Sequence, residues 1–279
     1  MNISKITAIK EIINDYGLTP STQNGQNFLV DEMVLQTIIT AAAIKPGENI
    51  LEIGPGLGVL TAKLLLSGAR VMAVEKDRQI FSYLKKRFKG KTNLTLVNDD
   101  ILKFETSLGF KPQAGYRIVA NIPYSITAKI IKKFTSDEAN KPKSLLIMVQ
   151  KEVAQRVCAR PGKLNLLAIC AQLYGQVSII TVVPARSFYP APKVDSCLLL
   201  IDKIKANPLY PIHDLAQFWR VLRVGFSSPR KQLHNNIASG LKIGSSAIKD
   251  LFKRAGIREK ARAQELSIEQ WIKLTEQLS

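Results

Sequence analysis

The stretch from Asn49 to Glu75 constrains the fold more than any other. NILEI is a short β-type run, GPGLG follows it at once, a helical segment comes next, and RVMAVE is a second β-type run that ends on an acid. Glycine at Gly54, Gly56 and Gly58 lets the backbone approach a ligand with no Cβ in the way, and a loop that leaves a strand and opens a helix is where such an approach is useful. A nucleotide-type cofactor fits there.

The same alternation continues downstream. DRQIFSYLKKRF and SITAKIIKKF have helical spacing, while NLTLVN, YRIVAN and KSLLIMVQ read as strands. The pattern predicts an α/β fold with a largely parallel, doubly wound, Rossmann-like sheet. Upstream, Ile6 to Tyr16 forms a short amphipathic helix stopped by Gly17, and Asp31 caps a second helix that runs to Ala43. QVSIITVVP and SCLLLIDK, separated by the proline-rich ARSFYPAPKVD, suit an antiparallel hairpin added to the sheet. After residue 204 the β-type runs cease and four segments with helical spacing follow. The expected division is therefore residues 1–204 as the catalytic domain and 205–279 as a small all-helical domain, packed across a cleft.

Lys and Arg number 40 against 22 Asp and Glu, a formal charge of +18, which points to a polyanionic partner. An anionic membrane would meet the same electrostatics, but no apolar run of 18 residues occurs and the first residues lack a signal-peptide core. The three cysteines form no CxxC pair and neither histidine lies near them, so a cytoplasmic, reduced and metal-free protein is expected.

Glu75 ends the second strand about 20 residues after the glycine loop, where a carboxylate can accept from both ribose hydroxyls of a nucleoside. A dinucleotide such as NAD remains open on that observation alone. The spacing, however, is GxGxG rather than GxGxxG, and Glu52 stands beside the loop. A carboxylate there repels a pyrophosphate and attracts the sulfonium and ammonium of S-adenosylmethionine. Asp99-Asp100, at the end of the next strand, places an acceptor over the same sheet edge for an adenine amino group, with an ordinary strand-end turn as the alternative.

Asn121-Ile122-Pro123-Tyr124 follows a strand and precedes a helix, at the carboxyl edge where ligands bind in such folds. EIGPGLG, Glu75, Asp100 and NIPY together, with GQNFL at Gly25 to Leu29 and FYPAPKVDS at Phe188 to Ser196, resemble the ribosomal RNA adenine N6,N6-dimethyltransferase family. Within it they are most similar to the bacterial branch that acts on the small subunit. The resemblance implies a class I methyltransferase fold with S-adenosylmethionine as donor and S-adenosylhomocysteine as product. It also implies that Asn27 and Leu29 contact the cofactor, that Gly54 and Gly56 line it, that Glu75 holds its ribose and Asp100 its adenine, and that Asn121 stands between cofactor and substrate.

The chemistry of NIPY supports that reading independently. Adenine N6 is a poor nucleophile because its lone pair is delocalised into the ring. Acceptors aimed at its hydrogens, the Asn121 side-chain oxygen and a carbonyl near Pro123, favour a more tetrahedral nitrogen and orient it toward the methyl group. Tyr124 offers a face on which a flipped adenine can stack, and Phe188 is a candidate for the opposite face. The alternative for Phe188 is hydrophobic packing beside the hairpin.

Two departures from the family pattern stand out. Lysines common before GQNFL are replaced by Pro20 to Asn24, and the stretch Arg160 to Leu167 looks shortened. Positive charge remains plentiful at Lys151, Arg156, Arg160, Lys163, Arg186 and Lys193, and at Arg230, Lys231, Lys253 and Arg254. The resemblance implies dimethylation of two adjacent adenines near the 3′ end of 16S ribosomal RNA in an immature 30S subunit, by a monomeric enzyme. A 23S RNA methyltransferase of the macrolide-resistance type shares the core motifs. A non-catalytic assembly or transcription factor on the same fold would show degraded cofactor motifs, whereas Gly54, Glu75, Asp100 and Asn121 are intact.

Overall fold

The computed structural model describes residues 6–17, 27–106 and 115–278, so Pro20 to Asn24 and the Gly25-Gln26 start of GQNFL lie outside the described residues. The chain divides into two compact units, residues 1–154 with 176–204, and residues 155–175 with 205–279.

In the first unit, β2 (Asn49–Ile53), β3 (Arg70–Glu75), β4 (Leu94–Asn98), β5 (Arg117–Asn121) and β6 (Leu145–Gln150) are parallel, in the order β4-β3-β2-β5-β6. β9 (Ser196–Asp202) and β7 (Gln176–Val183) extend the sheet antiparallel, with β9 lying between β6 and β7. The doubly wound sheet and its added hairpin are as the sequence pattern predicts. Leu145 to Val149 are wholly buried, as expected of an apolar run covered on both faces. β1 (Phe28–Leu29) pairs antiparallel with β8 (Phe188–Tyr189) in a separate two-stranded ribbon.

α1 (Ile6–Asp15) buries Ile9 and Ile12 in a cluster with Tyr83 and Leu84 of α4 (Arg78–Arg87). α2 (Glu32–Ala42) starts at Asp31, whose carboxylate accepts from the N–H groups of Met33 and Val34, as an N-cap should. α3 (Val59–Leu66) opens directly from Gly58. The segment read as one helix, SITAKIIKKF, is divided instead: a 3-10 turn over Tyr124–Ile126, α5 (Thr127–Lys132), and a π-turn over Lys133–Asp137. Ile126 donates its N–H to the Pro123 carbonyl at 3.3 Å, closing the tighter turn, while the Glu138 N–H reaches back five residues to Lys133 at 2.8 Å.

The second unit contains α6 beyond Ala154 (the helix runs Lys151–Val157), α7 (Leu166–Gln172), α8 (Leu215–Gly225), α9 (Leu233–Leu241), α10 (Ser245–Arg254) and α11 (Ile268–Glu276). Asn165 caps α7 through bonds to the Leu167 and Ala168 N–H groups, and the Gly162 and Leu164 N–H groups both donate to the Gln264 carbonyl. The stretch around residues 160–167 is thereby tied to the C-terminal helices, although it is remote from them in sequence. Gly225 meets Trp271 so closely that an added Cβ would stand 2.3 Å from the indole Cη2. Trp271 is fully buried and cannot retreat into solvent. Gly225→Ala should therefore lower the unfolding free energy by about 1–3 kcal/mol, read from urea melts followed by helical circular dichroism; an unchanged midpoint would mean that the indole moves freely.

Candidate functional site

A cleft of about 610 Å³ opens at the carboxyl edge of β2 to β5. Asn27, Leu29, Glu52, Gly54, Gly56, Glu75, Asp100, Asn121 and Pro123 all line it. The fold brings these together because four parallel strands end at one edge, each delivering its last residues to the same space.

The glycine loop is the floor. Gly54, Gly56 and Gly58 have φ of +62°, +56° and +74°, a left-handed backbone that side chains rarely adopt. Space is equally restrictive at the last position: a Cβ on Gly58 would stand 2.6 Å from the Phe88 ring and 2.9 Å from Leu84. At Gly56 it would come within 3.3 Å of the Phe28 ring, which places β1 against the loop. A Cβ at either residue would press α4 or β1 away from the loop.

Two buried acids face this floor. Glu75 accepts from the Asp77 N–H at 2.8 Å and from the Gly56 N–H at 3.3 Å. Burial outweighs those two donors and pushes its carboxyl up to about 7. Glu52 is 1% exposed, and its Oε2 is buried without a hydrogen-bond partner. Burial, partly opposed by neighbouring Thr61 and reinforced by Glu75, pushes it up to about 8. An unpartnered carboxyl oxygen at the edge of a cleft is costly unless a donor or cation arrives to meet it. The acceptor set thus fits a ligand with a positively charged head and exposed hydroxyls.

Asp100 behaves differently. The Leu102 N–H, followed by the Lys76 ammonium at 3.0 Å, holds its carboxyl below the usual range, so it is anionic. Asn121 donates its amide nitrogen to the Asn27 carbonyl at 3.1 Å, across 94 residues of chain. That bond fixes the amide plane and leaves the side-chain oxygen as the atom able to accept from a ligand.

Tyr124 and Phe188 are not among the residues lining the cleft. The Tyr124 hydroxyl shares a 2.6 Å hydrogen bond with Ser196 of β9, which anchors its half-buried ring. Phe188 is 2% exposed and lies opposite Leu29 in the β1–β8 ribbon, within the core that includes Leu35, Val119 and Met148. The expected stacking face is therefore not open, and the packing alternative describes its position. β-Pairing with Leu29 turns the side chain inward, which its motif alone does not reveal.

Sequence reasoning missed Lys76, Leu102, Ser125 and Lys129, which also line the cleft. Ser125 and Lys129 are four residues apart and face the same way across the 3-10 turn into α5, a spacing visible in SITAK.

Residues 18–279 match the family model described as ribosomal RNA adenine dimethylase. Among curated relatives, ribosomal RNA small subunit methyltransferase A of Dehalococcoides mccartyi is 38% identical over 271 residues, covering 97% of this chain and 92% of the relative. The protein of the same name from Clostridium botulinum is 38% identical, covering 96% of this chain and 97% of its own. Among solved structures, a dimethyladenosine transferase from Plasmodium falciparum has a TM-score of 0.70 at 28% identity, covering 88% of this chain and 95% of that one. The 23S rRNA methyltransferase ErmE has a TM-score of 0.69 at 26% identity, covering 90% and 99%.

The two raised carboxyls make stability depend on pH. Each binds its proton more tightly folded than unfolded, so between about pH 5 and 8 the native state holds more protons and stability falls as pH rises. Glu52→Gln removes one of these groups. Its unfolding free energy should fall less steeply between pH 6 and 8, by up to about 1.4 kcal/mol per pH unit, in chemical melts at several pH values. A slope equal to the wild type's would show that Glu52 is ionised at neutral pH in the unliganded protein.

Proposed function

The chain belongs to the ribosomal RNA adenine dimethylase family, and from that premise we propose that it moves methyl groups from S-adenosylmethionine to N6 of two adjacent adenines near the 3′ end of 16S ribosomal RNA, during maturation of the small subunit. The observation that carries the cofactor is the buried pair Glu52 and Glu75 beneath the left-handed glycine loop. S-adenosylmethionine supplies a methyl group on a positively charged sulfur, and a carboxylate-lined cleft suits that charge better than it suits a pyrophosphate.

In this reading Asn27 and Leu29 touch the cofactor from β1, Gly54 and Gly56 line its methionine end, and Glu52 meets its cationic head. Glu75 accepts from the ribose hydroxyls while its backbone donors keep it in place. Asp100 gives up Lys76 to accept from the adenine amino group. Asn121, with its nitrogen held by Asn27, presents its oxygen to the target N6 hydrogens, and a carbonyl near Pro123 takes the second. Tyr124, fixed by Ser196, supplies a stacking face for the flipped base. Phe188 supports β1 from the core instead of touching the substrate.

The helical part, residues 205–279, is read as the RNA-binding domain of a cytoplasmic, monomeric enzyme whose substrate is a partly assembled 30S particle. The curated relatives named for the small subunit, at 36–38% identity, favour that subunit over the 23S target of ErmE, which is 26% identical.

Incubation with labelled S-adenosylmethionine and immature 30S particles from a methyltransferase-deficient strain should place label on two adjacent adenines, mapped by reverse transcription; absence of label at N6 defeats the reading. Asn121→Ala should lose at least roughly 100-fold in kcat while calorimetry still detects S-adenosylhomocysteine. Glu75→Ala should instead weaken that binding tenfold or more, and full activity in the Asn121 variant would remove that residue from catalysis.

A further inference from the structure

Within the helical unit, α9 and α10 are joined by three residues, Lys242 to Gly244. Lys242 takes the left-handed conformation at φ +55°, which reverses the chain at the end of α9. Ile237, Ile248, Leu251 and Phe252 are buried and Leu241 and Ile243 partly so, so α9, the turn and α10 share one apolar seam. Two short helices around a three-residue turn, with apolar residues before, within and after it, form a helix-turn-helix.

α8 braces this element. Asn236 donates to the Gly225 carbonyl at 2.7 Å and to the Ser228 carbonyl at 3.1 Å, fixing α9 to the end of α8. Gly240 lies so near α8 that a Cβ would stand 2.4 Å from Val224. The outer side of α10 is left to solvent: Ser246, Ala247, Lys249, Asp250, Lys253 and Arg254 are exposed. No side chain caps its first turn, where Gly244 precedes the helix.

We infer that α9 and α10 form a helix-turn-helix whose second helix docks on double-helical RNA, reading its shape and not its sequence. The inference rests on the proposed function in taking RNA as the partner. Charge complementarity supports it, since residues 155–175 and 205–279 carry 16 Lys and Arg against 6 Asp and Glu. The chemistry of α10 selects the kind of helix. A reader of B-DNA presents Arg, Asn or Gln toward base edges in a wide major groove. Here the described residues of the leading half offer Ser246 and Ala247 on the exposed side, with Lys249 bound to Glu259 at 2.8 Å and Asp250 acidic. Small residues and a hydroxyl suit the wide, shallow minor groove of A-form RNA and its 2′-hydroxyls. Lys253 and Arg254, at the far end, then face the flanking phosphates.

The full-length protein should be titrated by fluorescence anisotropy against an RNA hairpin with a stem of about 16 base pairs, a hairpin of scrambled stem sequence, and the B-form DNA duplex of the same sequence. Ser246→Glu is the informative change. An acid in the first turn of a helix favours folding, yet it sets a negative charge against the RNA. It should weaken both RNA hairpins at least tenfold while the thermal midpoint stays at or above the wild-type value and S-adenosylhomocysteine affinity is unchanged. Lys253→Ala with Arg254→Ala should reduce the salt dependence by roughly one to two counterions.

Unchanged hairpin binding by folded Ser246→Glu would overturn the proposal, as would a wild-type preference for the DNA duplex or for one stem sequence. Failure of methyl transfer with hairpin binding and its Ser246 dependence intact would defeat the proposed function and leave this surface standing.

Discussion

The first unit depends on three backbone positions of one loop, Gly54, Gly56 and Gly58, whose left-handed conformation disfavours a side chain. Gly54, Gly56 and Gly58 alternate in the left-handed region, and Phe28 and Phe88 also close in on the positions where a Cβ of Gly56 or Gly58 would stand. Conformation and space act together there. A larger residue at Gly58 would meet both an unfavourable φ and the Phe88 ring, so relief of one leaves the other. The consequence reaches beyond the loop, because Phe28 belongs to β1 and Phe88 follows α4, and both share a buried cluster with α1. A loop shaped for close approach is thus also the point on which the N-terminal helix, the β1–β8 ribbon and α4 are fitted to the sheet.

Charge is distributed in opposite senses over the molecule. The chain as a whole carries a formal +18, yet the cleft collects Glu52, Glu75, Asp77 and Asp100. Burial favours the protonated form of Glu52 and Glu75, which makes the stability of the floor sensitive to pH. A surface rich in Lys and Arg raises the local concentration of a polyanion over long distances, whereas buried carboxyls act only on what enters the cleft. Attraction of RNA and discrimination among small ligands are therefore carried by separate sets of charges, which need not compromise each other.

How much of this was legible in the sequence followed from the range of the forces involved. Strand-loop-helix order, the acid at Glu75 and the placement of NIPY are local patterns, and the sheet confirms their order. The cleft gathers nine of the expected site residues because strand ends converge wherever parallel strands do. Phe188 was misleading for the converse reason: its burial depends on pairing with Leu29, 159 positions away, and no local periodicity encodes a two-residue ribbon. The division of SITAKIIKKF was hidden likewise: the 3-10 turn at its start includes Tyr124, whose hydroxyl is bonded to Ser196 of β9, 72 positions away. Residues 155–175 join the helical unit through bonds to Gln264, a pairing that composition cannot show.

The three acceptors over the cleft differ in how readily they can be given to a ligand. Glu75 is buried and tied by backbone N–H groups on two sides, so its position is set before anything binds. Asp100 is held partly by Lys76, whose side chain is 77% exposed, and an exposed pair of this kind is worth only about 0–1 kcal/mol. Exchanging Lys76 for another donor therefore costs little. Asn121 is intermediate, since one bond from its nitrogen to the Asn27 carbonyl holds the amide while its oxygen can still accept from a ligand. A ligand entering this cleft meets a fixed point at Glu75, a half-fixed one at Asn121 and an exchangeable one at Asp100. Rigidity is thus greatest where the loop glycines already demand it, and least at Asp100, whose partner Lys76 is largely exposed.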